Sequence, residues 1–360
     1  MRYKLEDDSR MVMAVIAAVT AVEAASMGWF VASIPSAHPD FVMLWTAARS
    51  PHPYDFDVLR SALHWEPTDL VAFVYPPSAL PVFALFGLFS FRIALTLWAG
   101  LSGLALAFSS RSKLAPLLIL TPPALWALPG GQTSVLLGSI LFGAVLLLDR
   151  SILAGLLLGV AISLKPQLSI VLPLALLAVR KWDVLVVAIT TFVAMTLLSA
   201  AVFGVDQWLA WIRTLPTFLL MHEASSILRR NEIAFGLPLW VRIAALGIGV
   251  WLTARGIEQE DYLQAFVSAV GSALIASSHA MGYEFAMFLP AFPALAARRG
   301  LASIAAAIFI LTPAFIWISP GLLEFYPRLA SLVFLVGAVA ASGIKVKPPI
   351  LPTSRNHLTM

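Results

Sequence analysis

Apolar stretches recur along almost the whole chain, and only short polar junctions separate most of them. The 360 residues are 60% hydrophobic and only 12% charged, whereas soluble domains carry about 25% charged residues. A helix that crosses a bilayer needs about 20 apolar residues, and its backbone polar groups must pair within the helix because hydrocarbon offers no partners. The sequence therefore predicts an all-α fold, a multi-pass transmembrane helical bundle.

Thirteen stretches are candidates for membrane spans. They cover residues 11–34, 71–89, 91–109, 114–128, 133–148, 151–164, 167–179, 183–203, 235–254, 263–278, 284–297, 301–318 and 328–344. The distribution of lysine and arginine favours a cytoplasmic position for both tails, which requires an even number of crossings. We therefore expect about 12 spans, with one segment of 71–128 re-entrant or two of its segments joined.

The chain is expected to be a single integral membrane domain, residues 1–360, in the cell inner (plasma) membrane. Residues 1–10 and 345–360 are predicted cytoplasmic tails, and 35–69 and 204–234 are predicted outer loops. Loops of this length usually carry function. Apolar residues in the first outer loop, Trp45 among them, predict short amphipathic helices lying on the membrane surface.

Several kinds of chemistry lack the residues that they need. The absence of cysteine excludes disulfides, thiol catalysis and cysteine metal sites. His279 and Glu284 do not have a zinc-ligand spacing, and no HExxH, GxSxG, Walker or GxGxxG motif occurs. We expect no metal and no cofactor. The net charge of +4 is not gathered in a basic block, so no nucleic-acid partner is expected.

An aspartate follows the first predicted span. Asp40 lies in the segment HPDFVMLWTAARSPHPYD, residues 38–55. A carboxylate at the rim of the bilayer suits a general base that deprotonates a hydroxyl acceptor. An aspartate before Phe41 also suits the N-cap of a surface helix. The sequence leaves both roles open.

Three more polar side chains interrupt apolar sequence. Lys165, in AGLLLGVAISLKPQ, could cap a helix that stops before Pro166, extend to the interface, or pair with an anionic ligand, since a lysine at the bilayer centre is costly. Gln132, in LPGGQTSVLLG, belongs to a tight turn or contacts a sugar or phosphate. Tyr75, in VYPPS, suits an interfacial aromatic belt or a substrate contact.

Taken in order, these motifs resemble those of the GT-C glycosyltransferases, in particular the polyprenol-phosphate-mannose-dependent mannosyltransferases of glycosyltransferase family 87. The motifs are DFVMLWTAARSPHPYD, VYPPSALPVFALF, GGQTSVLLGSILFGAVLLLDR, AGLLLGVAISLKPQ, RRNEIAFG and HAMGYEFAMFLPA, and they span residues 38–292. Each motif is weak alone, and their order carries the resemblance.

The resemblance implies a GT-C-like bundle with its active site on the periplasmic or extracellular side. It implies inverting transfer of a sugar, often mannose, from a polyprenyl-phosphate-linked donor to a lipid or glycan acceptor among the membrane lipids. Asp40 then acts as the catalytic base. The residues assigned to the donor phosphate are Lys165, Arg229, Arg230 and His279, and those assigned to the sugar or acceptor are Tyr54, Tyr75, Gln132, Asn231, Tyr283 and Glu284.

Two other classes compete with the enzyme. A multi-pass transporter or flippase of a lipid-linked or small anionic substrate would suit a chain of many spans. Transporters often contain related halves with broken helices, and no internal repeat is visible in this sequence. A noncatalytic membrane scaffold is the third class. Loss of function on replacing Asp40 and Lys165 together would argue against it.

Overall fold

The structure is a computed structural model that describes residues 2–34, 40–63, 73–224, 233, 236–277 and 279–298. The regular elements in these ranges are helical, as predicted. The α-helices are α1 (Arg2–Ala32), α2 (Phe41–Ala47), α3 (Phe56–Leu63), α4 (Leu80–Gly87), α5 (Phe91–Ser110), α6 (Ala115–Ile119), α7 (Pro122–Ala127), α8 (Ser134–Leu146), α9 (Ser151–Leu164), α10 (Pro166–Ser169), α11 (Val171–Ala178), α12 (Trp182–Phe203), α13 (Asp206–Ala224), α14 (Leu239–Glu258), α15 (Tyr262–Ala276) and α16 (Phe292–Ala297).

Four helical segments within the described part are long and apolar enough to cross a membrane. They are Met11–Ala32, Phe91–Ser110, Trp182–Phe203 and Leu239–Glu258. Three of them match the predicted spans closely. The fourth begins four residues later than predicted, because Gly236 adopts a positive φ of 72° and Pro238 is the N-cap of α14. These apolar helices indicate a membrane protein, with four candidate spans among the described residues.

The expected number of about 12 spans is not confirmed. Five further apolar segments of 10–17 residues are too short to cross a bilayer alone. The stretch 114–128 is two short helices, because Pro122 and Pro123 begin α7 and interrupt the helix before them. The predicted spans 301–318 and 328–344 and the tail 345–360 lie outside the described residues.

The stretch 284–297 is not a lipid-facing span. Residues Gly282–Ala291 form a 3-10 helix in which every residue except Tyr283 is buried, and α16 adds only six residues. An apolar run is equally consistent with lipid contact and with burial inside a bundle, and here burial applies. This 3-10 helix packs closely against α8.

Small residues bring the long helices together. A Cβ at Gly155 would lie 2.5 Å from Val187 Cβ, and one at Gly159 would lie 2.4 Å from Thr191 Cβ, so α9 lies directly on α12. Gly103 on α5 similarly approaches Ala24 of α1. Close backbone approach at small residues is the usual way in which membrane helices associate.

The two predicted outer loops contain helices. In 35–69 the structure gives α2 and α3, in agreement with the short helices expected there, and residues 35–39 and 64–69 are outside the described part. In 204–234 it gives the 19-residue helix α13, which the sequence did not predict. Trp211 of α13 donates a hydrogen bond from Nε1 to the backbone oxygen of Val74, at 3.1 Å.

Candidate active site

Helix α2 begins directly on the glycine turn that precedes α8. The backbone nitrogen of Phe41 donates to the oxygen of Gly130 at 3.0 Å. Gly131 has a φ of +64°, and a Cβ on it would lie 2.3 Å from Phe41 Cβ. The second glycine therefore permits both the turn and the close approach. Asp40 is brought beside the next residue, Gln132.

Asp40 and Gln132 are hydrogen-bonded to each other. The side-chain nitrogen of Gln132 donates to Oδ2 of Asp40. Asp40 is the first residue before α2, but its carboxylate makes no capping hydrogen bond to that helix. The N-cap role of its side chain is therefore not realised, and the carboxylate is held by Gln132 instead.

Tyr75 is fixed from two sides. The hydroxyl of Tyr54 donates to the backbone oxygen of Tyr75 at 2.9 Å, and the Tyr75 hydroxyl pairs with Thr133 Oγ1 at 3.1 Å. Burial raises the pKa of Tyr54, so its hydroxyl remains a donor. Tyr75 is thereby positioned next to the turn that carries Gln132.

Lys165 occupies a break between two helices. Helix α9 ends at Leu164 and α10 begins at Pro166, as expected for a residue that precedes proline. Only 8% of Lys165 is exposed, so it does not extend to the interface. Its ammonium forms an ion pair with Glu284 and lies 5.1 Å from the ring centroid of Tyr75 and 5.8 Å from that of Tyr283.

These side chains meet at one cavity of about 300 Å³. Its walls are formed by Asp40, Met43, Leu44, Val74, Tyr75, Pro76, Gln132, Leu164, Lys165, Gln167, Phe218, His279, Met281 and Tyr283. The ring of His279 meets that of Phe218 edge-on at 4.9 Å. The volume is at the lower end of that of small-molecule sites, roughly 300–1,000 Å³, and the walls combine polar groups with an apolar side.

The electrostatics of Asp40 suit proton transfer. Burial raises the pKa of its carboxyl, while the hydrogen bond from Gln132 and the charge of Lys165 lower that pKa. The carboxylate is surrounded by protein yet remains accessible through the cavity, since Asp40 retains exposed surface. A carboxyl group with a raised pKa is a better proton acceptor than an ordinary aspartate.

The structure brings together six of the residues that the sequence singled out. They line the cavity and are Asp40, Tyr75, Gln132, Lys165, His279 and Tyr283. Tyr54 and Glu284 lie behind that wall and support Tyr75 and Lys165 respectively. Arg229, Arg230 and Asn231 lie outside the described residues.

Other residues of the site were not predicted. Gln167 lines the cavity two residues after Lys165, and Phe218 reaches it from α13. Gln167 could have been singled out from the sequence, because it is a polar residue close to Lys165 in an otherwise apolar stretch. The ion pair of Lys165 with Glu284 was not predicted, although charged side chains within apolar sequence usually have a partner of opposite charge.

Comparison with known families gives one result. The profile described as Glycosyltransferase family 87 matches residues 73–280, which is more than half of the chain. The chain belongs to glycosyltransferase family 87. Comparisons with curated proteins and with solved structures gave no match.

Membership of family 87 confirms the resemblance drawn from the motifs and makes the chain a glycosyltransferase with a sugar donor and an acceptor. The matched region contains Tyr75, Gln132, Lys165 and His279 of the cavity. Asp40 precedes it, so the position of Asp40 in this family 87 member follows from the geometry of the cavity and not from the match.

Proposed function

We propose that this family 87 member transfers a sugar, mannose in the first instance, from a polyprenyl-phosphate donor to a hydroxyl of a lipid or glycan acceptor. Transfer inverts the anomeric configuration and takes place on the periplasmic or extracellular side of the inner membrane. One observation carries the proposal: a carboxylate, Asp40, and an ammonium, Lys165, line the same cavity.

In the proposed reaction Asp40 is the general base. Its carboxylate takes the proton of the acceptor hydroxyl while the acceptor oxygen forms a bond to the anomeric carbon. The bond between that carbon and the phosphate oxygen breaks, and its electron pair leaves with polyprenyl phosphate. Attack opposite to the leaving group inverts the configuration, and no covalent enzyme intermediate is required.

Lys165 is the proposed partner of the donor phosphate. The phosphate gains negative charge as the bond to the sugar breaks, so a fixed cation beside it lowers the energy of the transition state. Lys165 is the residue with a permanent positive charge among the described cavity walls. His279 lines the same cavity and is a second proposed phosphate contact, with Arg229 and Arg230 as further candidates.

Gln132 has a positioning function in this scheme. Its amide is bonded to one oxygen of Asp40, which leaves the other oxygen for the acceptor. The backbone oxygen of Gln132 accepts a hydrogen bond from Trp98 Nε1 at 3.4 Å, so the backbone of Gln132 is held as well as its side chain. Tyr75 and Tyr283 are the proposed sugar contacts on the cavity wall, and Asn231 remains a candidate.

The apolar side of the cavity supports a lipid-linked donor. Met43, Leu44 and Phe218 line that side. On α13, which carries Phe218, Leu209 and Leu220 are 57% and 68% exposed. An apolar cavity side, next to a helix that also carries exposed apolar side chains, suits a substrate whose reacting phosphate is polar and whose tail is hydrocarbon.

The proposal is tested by turnover of a labelled donor. Purified protein in lipid vesicles receives polyprenyl phosphate mannose labelled in the sugar, together with a membrane lipid and glycan extract as acceptor. We expect transfer of label to the acceptor and release of polyprenyl phosphate. The Asp40→Asn variant should lose about 10²–10⁴-fold in rate, the contribution of a general base.

A matched control is available in the same loop. Asp57 is 90% exposed and pairs with Arg60, so Asp57→Asn should turn over at the wild-type rate. Wild-type turnover by the Asp40→Asn variant would disprove the assignment of the base. Movement of the donor across the vesicle membrane without sugar transfer would favour the transporter.

A further inference from the structure

Glu284 is a buried carboxylate with both oxygens engaged. Oε1 accepts from the ammonium of Lys165, and Oε2 accepts from Ser134 Oγ at 2.7 Å. Only 2% of Glu284 is exposed, and it is not part of the cavity wall. A carboxylate in this position is out of reach of a sugar in the cavity but in direct contact with the side chain that faces it.

The packing of two elements fixes this contact. Glu284 belongs to the 3-10 helix Gly282–Ala291, and Ser134 is the first residue of α8. One turn along α8, a Cβ on Gly138 would lie 2.1 Å from the backbone oxygen of Met287. The absence of a side chain at Gly138 therefore lets the two elements approach until Ser134 reaches Glu284.

The ammonium of Lys165 is restricted on its other sides as well. The rings of Tyr75 and Tyr283 lie at 5.1 and 5.8 Å from Nζ, distances at which a cation is attracted to an aromatic face. An ammonium has three donors; Glu284 accepts from one of them, the Tyr75 hydroxyl is within reach of a second, and one remains. Since Lys165 also lines the cavity, it can donate to an anion there without leaving Glu284.

We propose that Glu284 is a positioning residue, which holds the Lys165 ammonium at the cavity wall for the donor phosphate without touching the donor. This inference rests on the proposed function of Lys165. The lysine side chain is flexible and loses much rotamer freedom when it is fixed. Glu284 and Ser134 fix it before the donor arrives, so it needs no rearrangement as charge develops on the phosphate.

A consequence follows for binding and turnover. Glu284 and a donor phosphate would share the ammonium of Lys165. In the ground state the carboxylate therefore weakens the attraction between Lys165 and the donor phosphate. In the transition state it keeps the ammonium in place. Glu284→Gln should therefore lower kcat by about 10–100-fold, as expected for a misplaced catalytic contact. The KM for the donor should stay the same or fall.

The test is a double-mutant cycle with Lys165→Met, measured in single-turnover assays with labelled donor. If Glu284 acts through Lys165, Glu284→Gln should change the rate of the Lys165→Met protein by less than about twofold, because coupled residues are not additive. Where the rate of that protein is too low to measure, binding of polyprenyl phosphate gives the same comparison. Its affinity should respond to Glu284→Gln only when Lys165 is present.

Ser134→Ala provides a milder variant for the case that Glu284→Gln does not fold. It removes one hydrogen bond and keeps the charge, so it should lower kcat by a smaller factor, again only when Lys165 is present. The inference would be overturned if the Glu284 or Ser134 substitution lowered the rate by the same factor in the Lys165→Met protein as in the wild type. A raised donor or acceptor KM at unchanged kcat, which indicates direct substrate contact, would also overturn it. A wild-type protein without transferase activity would instead disprove the proposed function.

Discussion

The variant Gly138→Ala should disturb the active site by displacing the 3-10 helix that carries Glu284. Gly138 of α8 faces the 3-10 helix Gly282–Ala291, and a Cβ there would lie 2.1 Å from the backbone oxygen of Met287 and 2.4 Å from its Cα. Ordinary contact begins at 3.4 Å. The 3-10 helix must therefore move by about 1.3 Å in Gly138→Ala, because backbone atoms cannot rotate away as a flexible side chain can.

Two opposing effects decide the stability of this variant. Alanine in place of glycine favours a helix by about 1 kcal/mol, and overpacking of a filled core costs about 1–3 kcal/mol. We expect a net loss of about 0–2 kcal/mol, which lowers the melting temperature by a few degrees. The larger effect should be on turnover, because Glu284 lies one turn before Met287 and moves with it.

The assay compares turnover and melting in the same vesicle preparation. A displacement of about 1 Å in a catalytic contact reduces the rate by about 100-fold, so Gly138→Ala should be folded and nearly inactive. Gly143→Ala is the control in the same helix, since its Cβ would meet only the end of the Leu157 side chain at 3.4 Å. It should keep its activity. Wild-type turnover by Gly138→Ala would refute the link between this packing and the ion pair.

Three further predictions concern the cavity and its support. Because burial raises the pKa of Asp40, kcat/KM should decline on acidification at a higher pH than for an ordinary aspartate. Gln132→Ala removes a hydrogen bond that lowers this pKa, so it should move the decline to still higher pH. An unchanged pH profile in Gln132→Ala would contradict this. A folded-state pKa above the unfolded value means that ionisation of Asp40 opposes folding, so its stabilising contribution is present at low pH and lost as pH rises through the folded pKa. Asp40→Asn should thus melt no lower than wild type at neutral pH and lose any advantage in acid; a lower melting temperature at neutral pH would contradict the raised pKa of Asp40. Tyr54→Phe removes the hydrogen bond to Tyr75 and should cost about 0.5–1.5 kcal/mol in unfolding free energy with little change in KM; a raised acceptor KM at unchanged stability would instead show that Tyr54 contacts the acceptor.

Local rules predicted much of this fold. The span Met11–Ala32 follows from its apolar length, and the end of α9 before Pro166 follows from the restriction that proline places on the preceding residue. The turn that carries Gln132 follows from its two glycines. Each of these features depends on a few neighbouring residues, so the sequence contains the necessary information.

Features that depend on distant residues were harder to predict. Lys165 and Glu284 are 119 positions apart, and nothing local shows that they meet. The run 284–297 is as apolar as a span, but its first part, 284–291, is buried in a 3-10 helix that packs against α8, and periodicity does not distinguish such burial from lipid contact. Helix α13 was missed because its polar residues and internal Pro216 suggested a loop.

A structure of the Asp40→Asn protein with bound polyprenyl phosphate mannose tests the shared cavity most directly. The variant should hold the donor without turning it over. We expect a phosphate oxygen within hydrogen-bond distance of Lys165 Nζ, with Glu284 still bound to the same ammonium and the sugar between Lys165 and position 40. A phosphate bound at another place, with Lys165 contacting only Glu284, would contradict the account.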